Sequence, residues 1–193
     1  MAKGVVYDEV MSEARLVTAE ELLAMGEGRR ELIAGRVVEM SPAGHEHSCV
    51  AMRIGRHIGN FVESARLGNV STADGGFRLA RDPDFVRVPD IGFVVAARLP
   101  GLDTRGYPHL APDLAVEVVA PDDRFSEVEA KARMWLAHGT RLVWVADPEQ
   151  RLVFVYRPDG SRVVHGEADT LDGGDVLPGF ALPVAPSVAG REN

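Results

Sequence analysis

Leu114-Ala-Val-Glu-Val-Val-Ala120 is followed by the turn Pro121-Asp-Asp-Arg124. Then come Phe125-Ser-Glu-Val-Glu-Ala-Lys-Ala-Arg-Met-Trp-Leu-Ala137 and, after a short break, Arg141-Leu-Val-Trp-Val-Ala146. The first run is apolar on both alternations, which predicts a strand covered on both faces, in the middle of a sheet. In the second, Phe125, Val128, Ala132, Trp135 and Leu136 recur at helical spacing, which predicts an amphipathic helix over residues 125–138. The third is again a short apolar run of strand type. Strand, helix and strand in this order predict a βαβ unit in an α/β domain.

Two charged residues interrupt this pattern. Glu117 shares a strand face with Ala115 and Val119, where an unpaired carboxylate would cost several kcal/mol, roughly, unless it met a cation or took a proton. Such a residue is either half of a structural ion pair or a metal ligand. Lys131 lies three residues after Val128 and four before Trp135, at the rim of the helix's apolar face. It is also one of only two lysines, with Lys3, among 21 basic residues. Arginine is a delocalised fork that stays charged, whereas an ammonium is a compact point charge. A chain that otherwise uses arginine either carries Lys131 by chance, its stem snorkelling to water, or keeps it where only an ammonium serves.

Further out, Phe85-Val-Arg-Val-Pro-Asp-Ile-Gly-Phe-Val-Val95 alternates like a strand and places Asp90 on the face of Val86, Val88, Gly92 and Val94. Pro89 marks an edge or a bulge. Glu31 sits in Arg30-Glu-Leu-Ile-Ala34, a short strand entering a turn at Gly35. Three acids with one lysine on apolar faces fit a divalent-metal site that meets phosphate, because Mg²⁺ takes one or two carboxylates plus substrate oxygens and water.

The remaining chain predicts a capping-box helix at Thr18-Ala-Glu-Glu21, a hairpin around Gly35 and a long helix from Gly44 to Leu67. A strand over 69–79, a Gly/Pro-rich loop over 100–112 above the cleft, and strands at 151–156 and 161–165 follow. A tail over 177–184 is expected to pack on the sheet. Residues 1–15 read as a flexible tail, 16–185 as a single domain and 186–193 as a second tail.

At 193 residues, 46% hydrophobic and 26% charged, the chain has the composition of a globular domain. Its single cysteine, Cys49, excludes an internal disulfide. With no secretion signal and no apolar run long enough to span a membrane, a cytoplasmic protein is expected. The formal charge of −8 argues against a general nucleic-acid binder. Arg78, Arg81, Arg87, Arg98, Arg105 and Arg124 cluster around Asp90, and either line a phosphate-facing cleft or form a solvated face. His45 and His47, two residues apart at a helix start, do not share a helical face and are not read as a ligand pair.

The order Pro89-Asp90, then Glu117-Val-Val119, then Lys131 resembles the PD-(D/E)XK nuclease superfamily. More closely, the chain resembles the Uma family of restriction-type endonucleases over about residues 16–184. The resemblance is carried by Glu31-Leu-Ile-Ala-Gly35, Ser41-Pro42, Glu46-His47, Val88-Pro-Asp90, Pro112-Asp-Leu-Ala-Val-Glu-Val118 with Ala120-Pro121, and Lys131. Toward the C-terminus it continues in Val143-Trp-Val-Ala-Asp-Pro148, Val153-Phe-Val-Tyr156 and Leu177-Pro-Gly-Phe180. The superfamily places its lysine two residues after the acid, where this chain has Val119. In the Uma-like variant the next helix supplies it, as Lys131 does.

The resemblance implies a restriction-endonuclease-like mixed central sheet flanked by helices, with an N-terminal helix and hairpin and a C-terminal strand extension. It implies a divalent-metal-dependent endonuclease acting on DNA. Asp90, Glu117 and the Val118 carbonyl would hold Mg²⁺, with Mn²⁺ as a substitute, Lys131 would act on the attacking water, and Glu31 would complete the acidic wall. It also implies that His47 faces the cleft and that the protein is a homodimer. The alternative from a different class is a non-catalytic nucleic-acid or protein binding module on a nuclease fold.

Overall fold

The computed structural model describes residues 15–189. The expected N-terminal tail, Lys3 included, lies outside the described residues except for its last member, Arg15. The elements are α1 (Ala19–Ala24), β1 (Arg30–Ile33), β2 (Arg36–Glu39), α2 (His45–Ala65), β3 (Gly68–Thr72), β4 (Phe77–Ala80), β5 (Phe85–Arg87) and β6 (Ile91–Val95). After a long loop come β7 (Leu114–Val118), α3 (Phe125–Ala137), β8 (Leu142–Asp147), β9 (Leu152–Tyr156), β10 (Arg162–His165), β11 (Thr170–Gly173), β12 (Leu177–Pro183) and α4 (Val184–Val188).

The main sheet has the order β10-β9-β8-β7-β6-β3. Only β7 and β8 in it are parallel, joined through α3. This is the expected mixed sheet with Glu117 on an inner strand. Pleating sorts β7 into two faces. Leu114, Val116 and Val118 join the core beneath α2, packed with Val50, Ile54, Ile58 and Val62. Ala115 joins the core beneath α3, with Val128, Ala132 and Trp135. Each fully buried aliphatic side chain contributes about 1.5–3 kcal/mol, so the two helices are held mainly by these stripes. Glu117 alternates onto the α3 side, within reach of Lys131 and Trp135.

A second, four-stranded antiparallel sheet has the order β2-β1-β5-β4. Its hairpin turns at Ala34 and Gly35, with φ values of 50° and 75°, the pair of positive dihedrals that a two-residue primed turn requires. Thr18 caps α1 with a complete capping box to Glu21, as its sequence predicts.

Four expectations are corrected. The strand expected over 69–79 is two strands, β3 in the large sheet and β4 in the small one. The strand expected over 85–95 is likewise divided into β5 and β6, which belong to different sheets. Pro89 lacks the amide a ladder needs, and the chain bends there and crosses between sheets, leaving Asp90 at the crossing rather than on a strand face. The expected tail over 177–184 is β12, paired with β11. Residues 186–188, placed in the C-terminal tail, belong to α4, where Ser187 and Val188 are buried. The alternation of Leu177, Phe180, Leu182 and Val184 into the α2-side core gives the physical reason. No helix among the described residues is long and apolar enough to cross a membrane.

Candidate active site

The crossing between the two sheets brings the singled-out residues together. Glu31 comes from β1, Asp90 from the bend after β5, Glu117 from β7 and Lys131 from α3. All line one cleft of about 970 Å³, with Val118 and His47 from the first turn of α2. The Lys131 Nζ donates to Glu117 Oε2 at 3.0 Å and to the Val88 carbonyl at 3.0 Å. It lies 3.5 Å from Glu31 Oε1. The helical interval from Lys131 to Trp135 then places the Trp135 indole N–H on the other Glu117 oxygen, at 2.7 Å. Glu117 is thus held through both oxygens by one turn of α3.

Asp90 is held from two directions. The Val118 amide donates to its Oδ2 at 2.8 Å, which ties the bend to the end of β7. The His47 Nε2 lies 3.1 Å from the same oxygen. Glu31 is 1% exposed. It accepts the Val88 amide at 2.9 Å on Oε1 and pairs with the Arg87 Nε at 3.1 Å through Oε2. That second contact follows from register: Leu32 stands opposite Val86, so Glu31 and Arg87 are cross-strand neighbours.

The electrostatics follow from this packing. Burial pushes the Glu117 carboxyl up to about 7, and the Asp90 charge adds to the rise against the opposing pull of Lys131. Burial would lower the Lys131 ammonium, but Glu117 and Glu31 outweigh it and hold it above its ordinary value. Burial would raise Asp90, but the His47 imidazole and the Val118 amide bring it below the usual carboxylate range. His47 is raised in return, its Asp90 contact exceeding the desolvation that opposes it.

A divalent cation suits this donor set. Glu117 is a buried carboxylate whose charge its surroundings do not fully offset. Asp90 takes its hydrogen bonds through Oδ2 alone, and its Oδ1 receives none among the described residues. Among those residues no group of three or more His, Cys, Asp or Glu side chains is arranged to hold an ion. What the cleft offers a hard ion such as Mg²⁺ is two carboxylates, Asp90 and Glu117, and the Val118 carbonyl, to be completed by oxygens from water or substrate. Glu31 is less suited, because it serves three partners, Val88, Arg87 and Lys131, against two for Glu117.

His47 lines the cleft, as the resemblance implied; what sequence reasoning missed is the role of Trp135 and the partner of His47. Trp135 was read as plain core, although its interval of four from Lys131 placed both on one helical ridge. The pairing of His47 with Asp90 had no signal at all, since it depends on where α2 starts relative to the bend. The arginine cluster does not converge on the cleft. Arg87 lines it, whereas Arg78 pairs with Asp84 and Glu20 and Arg98 pairs with the buried Asp113. Of the loop expected above the cleft, Tyr107 lines it.

A solved structure described as "a putative nuclease belonging to DUF820", from Anabaena variabilis ATCC 29413, has the same fold, with a TM-score of 0.74 and 23% identity. The match covers 89% of this chain and 99% of that one. No curated protein matches the chain. The family Uma2, whose description is "Putative restriction endonuclease", matches residues 19–185. That span contains the six- and four-stranded sheets, the β11-β12 pair, α2, α3 and every residue of the cleft described above, and the chain belongs to the Uma2 family.

Proposed function

We propose that the protein is a divalent-metal-dependent endonuclease that hydrolyses phosphodiester bonds in DNA, with residues 16–185 acting as one catalytic domain in a cytoplasmic homodimer. The observation that carries this reading is the contact of Lys131 with Glu117 on the cleft wall that Asp90 shares. A pure ion pair needs no lysine in a chain that uses arginine elsewhere, and it needs no second carboxylate anchored beside it.

Asp90, Glu117 and the Val118 carbonyl would hold Mg²⁺, or Mn²⁺ in its place. The ion supplies Lewis-acid stabilisation of charge on the phosphoryl oxygens and lowers the pKa of water. The Val118 amide and His47 keep Asp90 charged and oriented toward the cleft. Trp135 fixes the plane of the Glu117 carboxylate. Lys131 sits where a water or a phosphoryl oxygen can replace one of its present acceptors, and its charge offsets the charge that develops there. Glu31, through Arg87 and Val88, sets the position of that ammonium.

Each acid of the site already has a basic partner, and this favours a second reading, a non-catalytic binding module stabilised by the same network. Calorimetric titration with Mg²⁺, with and without DNA, separates the two. The endonuclease reading predicts metal binding by the parent that Asp90→Asn abolishes. Absence of binding, or equal binding by both proteins, would favour the module.

A further inference from the structure

The active-site cleft carries more acid than base. Glu27, Glu39, Asp74, Asp122, Asp123 and Glu127 line it besides the site carboxylates. Of its four cations, Arg30, Arg87 and Lys131 already face Glu39, Glu31 and Glu117; Arg29, which makes no ion pair among the described residues, is the one left against this acidic lining. A polyanion gains affinity mainly from cations that neutralise its phosphates, so this cleft supplies little binding beyond what a bound metal ion adds.

A second pocket, of about 500 Å³, adjoins it, and Tyr107 lines both. Here the charge balance reverses. Arg78, Arg81, Arg105 and His109 line it, against Glu20 and Asp103. Arg78 is engaged by Asp84 and Glu20. Arg81 makes no ion pair among the described residues. The contact of Arg105 with Asp103 is 3.9 Å long between two well-exposed side chains, a geometry that contributes little. Beside these two free guanidinium groups lie Leu23, Leu102, Tyr107 and Pro108, an apolar and aromatic surface. Cations next to such a surface can hold a nucleic-acid strand by phosphate and base together.

We propose that this pocket is a nucleotide subsite. It takes an unpaired nucleotide flanking the phosphodiester bond at Asp90 and Glu117, with phosphate on Arg81 and Arg105 and the base against Tyr107 and Leu102. A base paired within a duplex is turned inward and presents no face to such a pocket, so the occupant is an unpaired strand that crosses Tyr107 from one pocket to the other. The inference rests on the phosphodiesterase reading above.

The test compares the parent with the double variant Arg81→Ala/Arg105→Ala, both residues being exposed. Steady-state cleavage in Mg²⁺ is measured on a single-stranded DNA of about 12 nucleotides, long enough to span both pockets, and on bis(p-nitrophenyl) phosphate, which cannot reach the second. The variant should raise KM for the oligonucleotide by roughly tenfold at unchanged kcat, and make the dependence of log affinity on log salt shallower by about 1.4. Turnover of the small diester should not change. Unchanged KM and salt dependence, with the parent cleaving both substrates, would overturn the subsite and leave the phosphodiesterase standing. An equal effect on a blunt duplex would overturn the assignment to an unpaired strand. A parent that cleaves neither substrate would remove the underlying reading and the subsite with it.

Discussion

Replacing Glu117 by glutamine separates an active site from a structural ion pair. The Glu117 carboxyl is pushed from an ordinary 4.5 to about 7, first by burial and then by the Asp90 charge. The folded protein therefore holds a proton that the unfolded chain gives up. This contributes stability that is fully present below pH 4.5 and is lost as pH rises through about 7. The interval corresponds to about 3 kcal/mol, of which about 2.5 kcal/mol falls between pH 5 and pH 8. Glutamine keeps the shape and cannot titrate. In urea titrations with EDTA, Glu117→Gln should be at least as stable as the parent at pH 8, and its standing against the parent should fall by about 2.5 kcal/mol at pH 5. Adding Mg²⁺ at pH 8 should reverse the order, because metal bound only to the intact folded site stabilises by mass action, about 2.7 kcal/mol at a hundredfold excess over Kd. If the two proteins show parallel pH dependence, with the glutamine variant weaker throughout and indifferent to Mg²⁺, Glu117 is charged and serves only to pair with Lys131.

Three further outcomes are expected. Lys131→Ala should lower stability at pH 8 by about 3 kcal/mol or more in urea titration, since it strips the cation from the buried Glu117 and Glu31. Trp135→Phe keeps the ring in its core position and deletes the donor to Glu117. It should cost about 1–3 kcal/mol in a thermal or urea melt and weaken Mg²⁺ binding in calorimetry, whereas a purely packing role would leave the metal affinity alone. Sedimentation at micromolar concentration should show a two-fold dimer, and monomer alone would refute that assembly.

The βαβ unit was legible because its signals are local: β7 and β8 are short apolar runs, and α3 carries a clean helical stripe. Glu117 and Lys131 were legible as exceptions to those same patterns, and the helical interval then dictated their meeting. Asp90 was found, but in the wrong setting. An alternating run with one proline looks like a single strand, and nothing local shows that β5 and β6 join different sheets. The role of Glu31 depended on strand register, which brings Arg87 opposite it, and register is a tertiary choice. The arginine cluster was the weakest inference. Proximity in sequence said nothing of the acids that claim Arg78 and Arg98, because Asp84, Glu20 and Asp113 reach them through folding.

Asp90, Glu117 and Lys131 are proposed above to act together as a phosphodiester-cleaving site. The most direct test of that site is the cleavage of supercoiled plasmid DNA and of circular single-stranded DNA by the parent and by Lys131→Arg, each with Mg²⁺ and with EDTA. Nicked or linear product is expected from the parent with Mg²⁺ only, and none from the arginine variant, whose planar fork cannot replace an ammonium bonded to Glu117 Oε2 and the Val88 carbonyl. Equal cleavage by both proteins, or none by the parent at any Mg²⁺ concentration, would contradict that proposal.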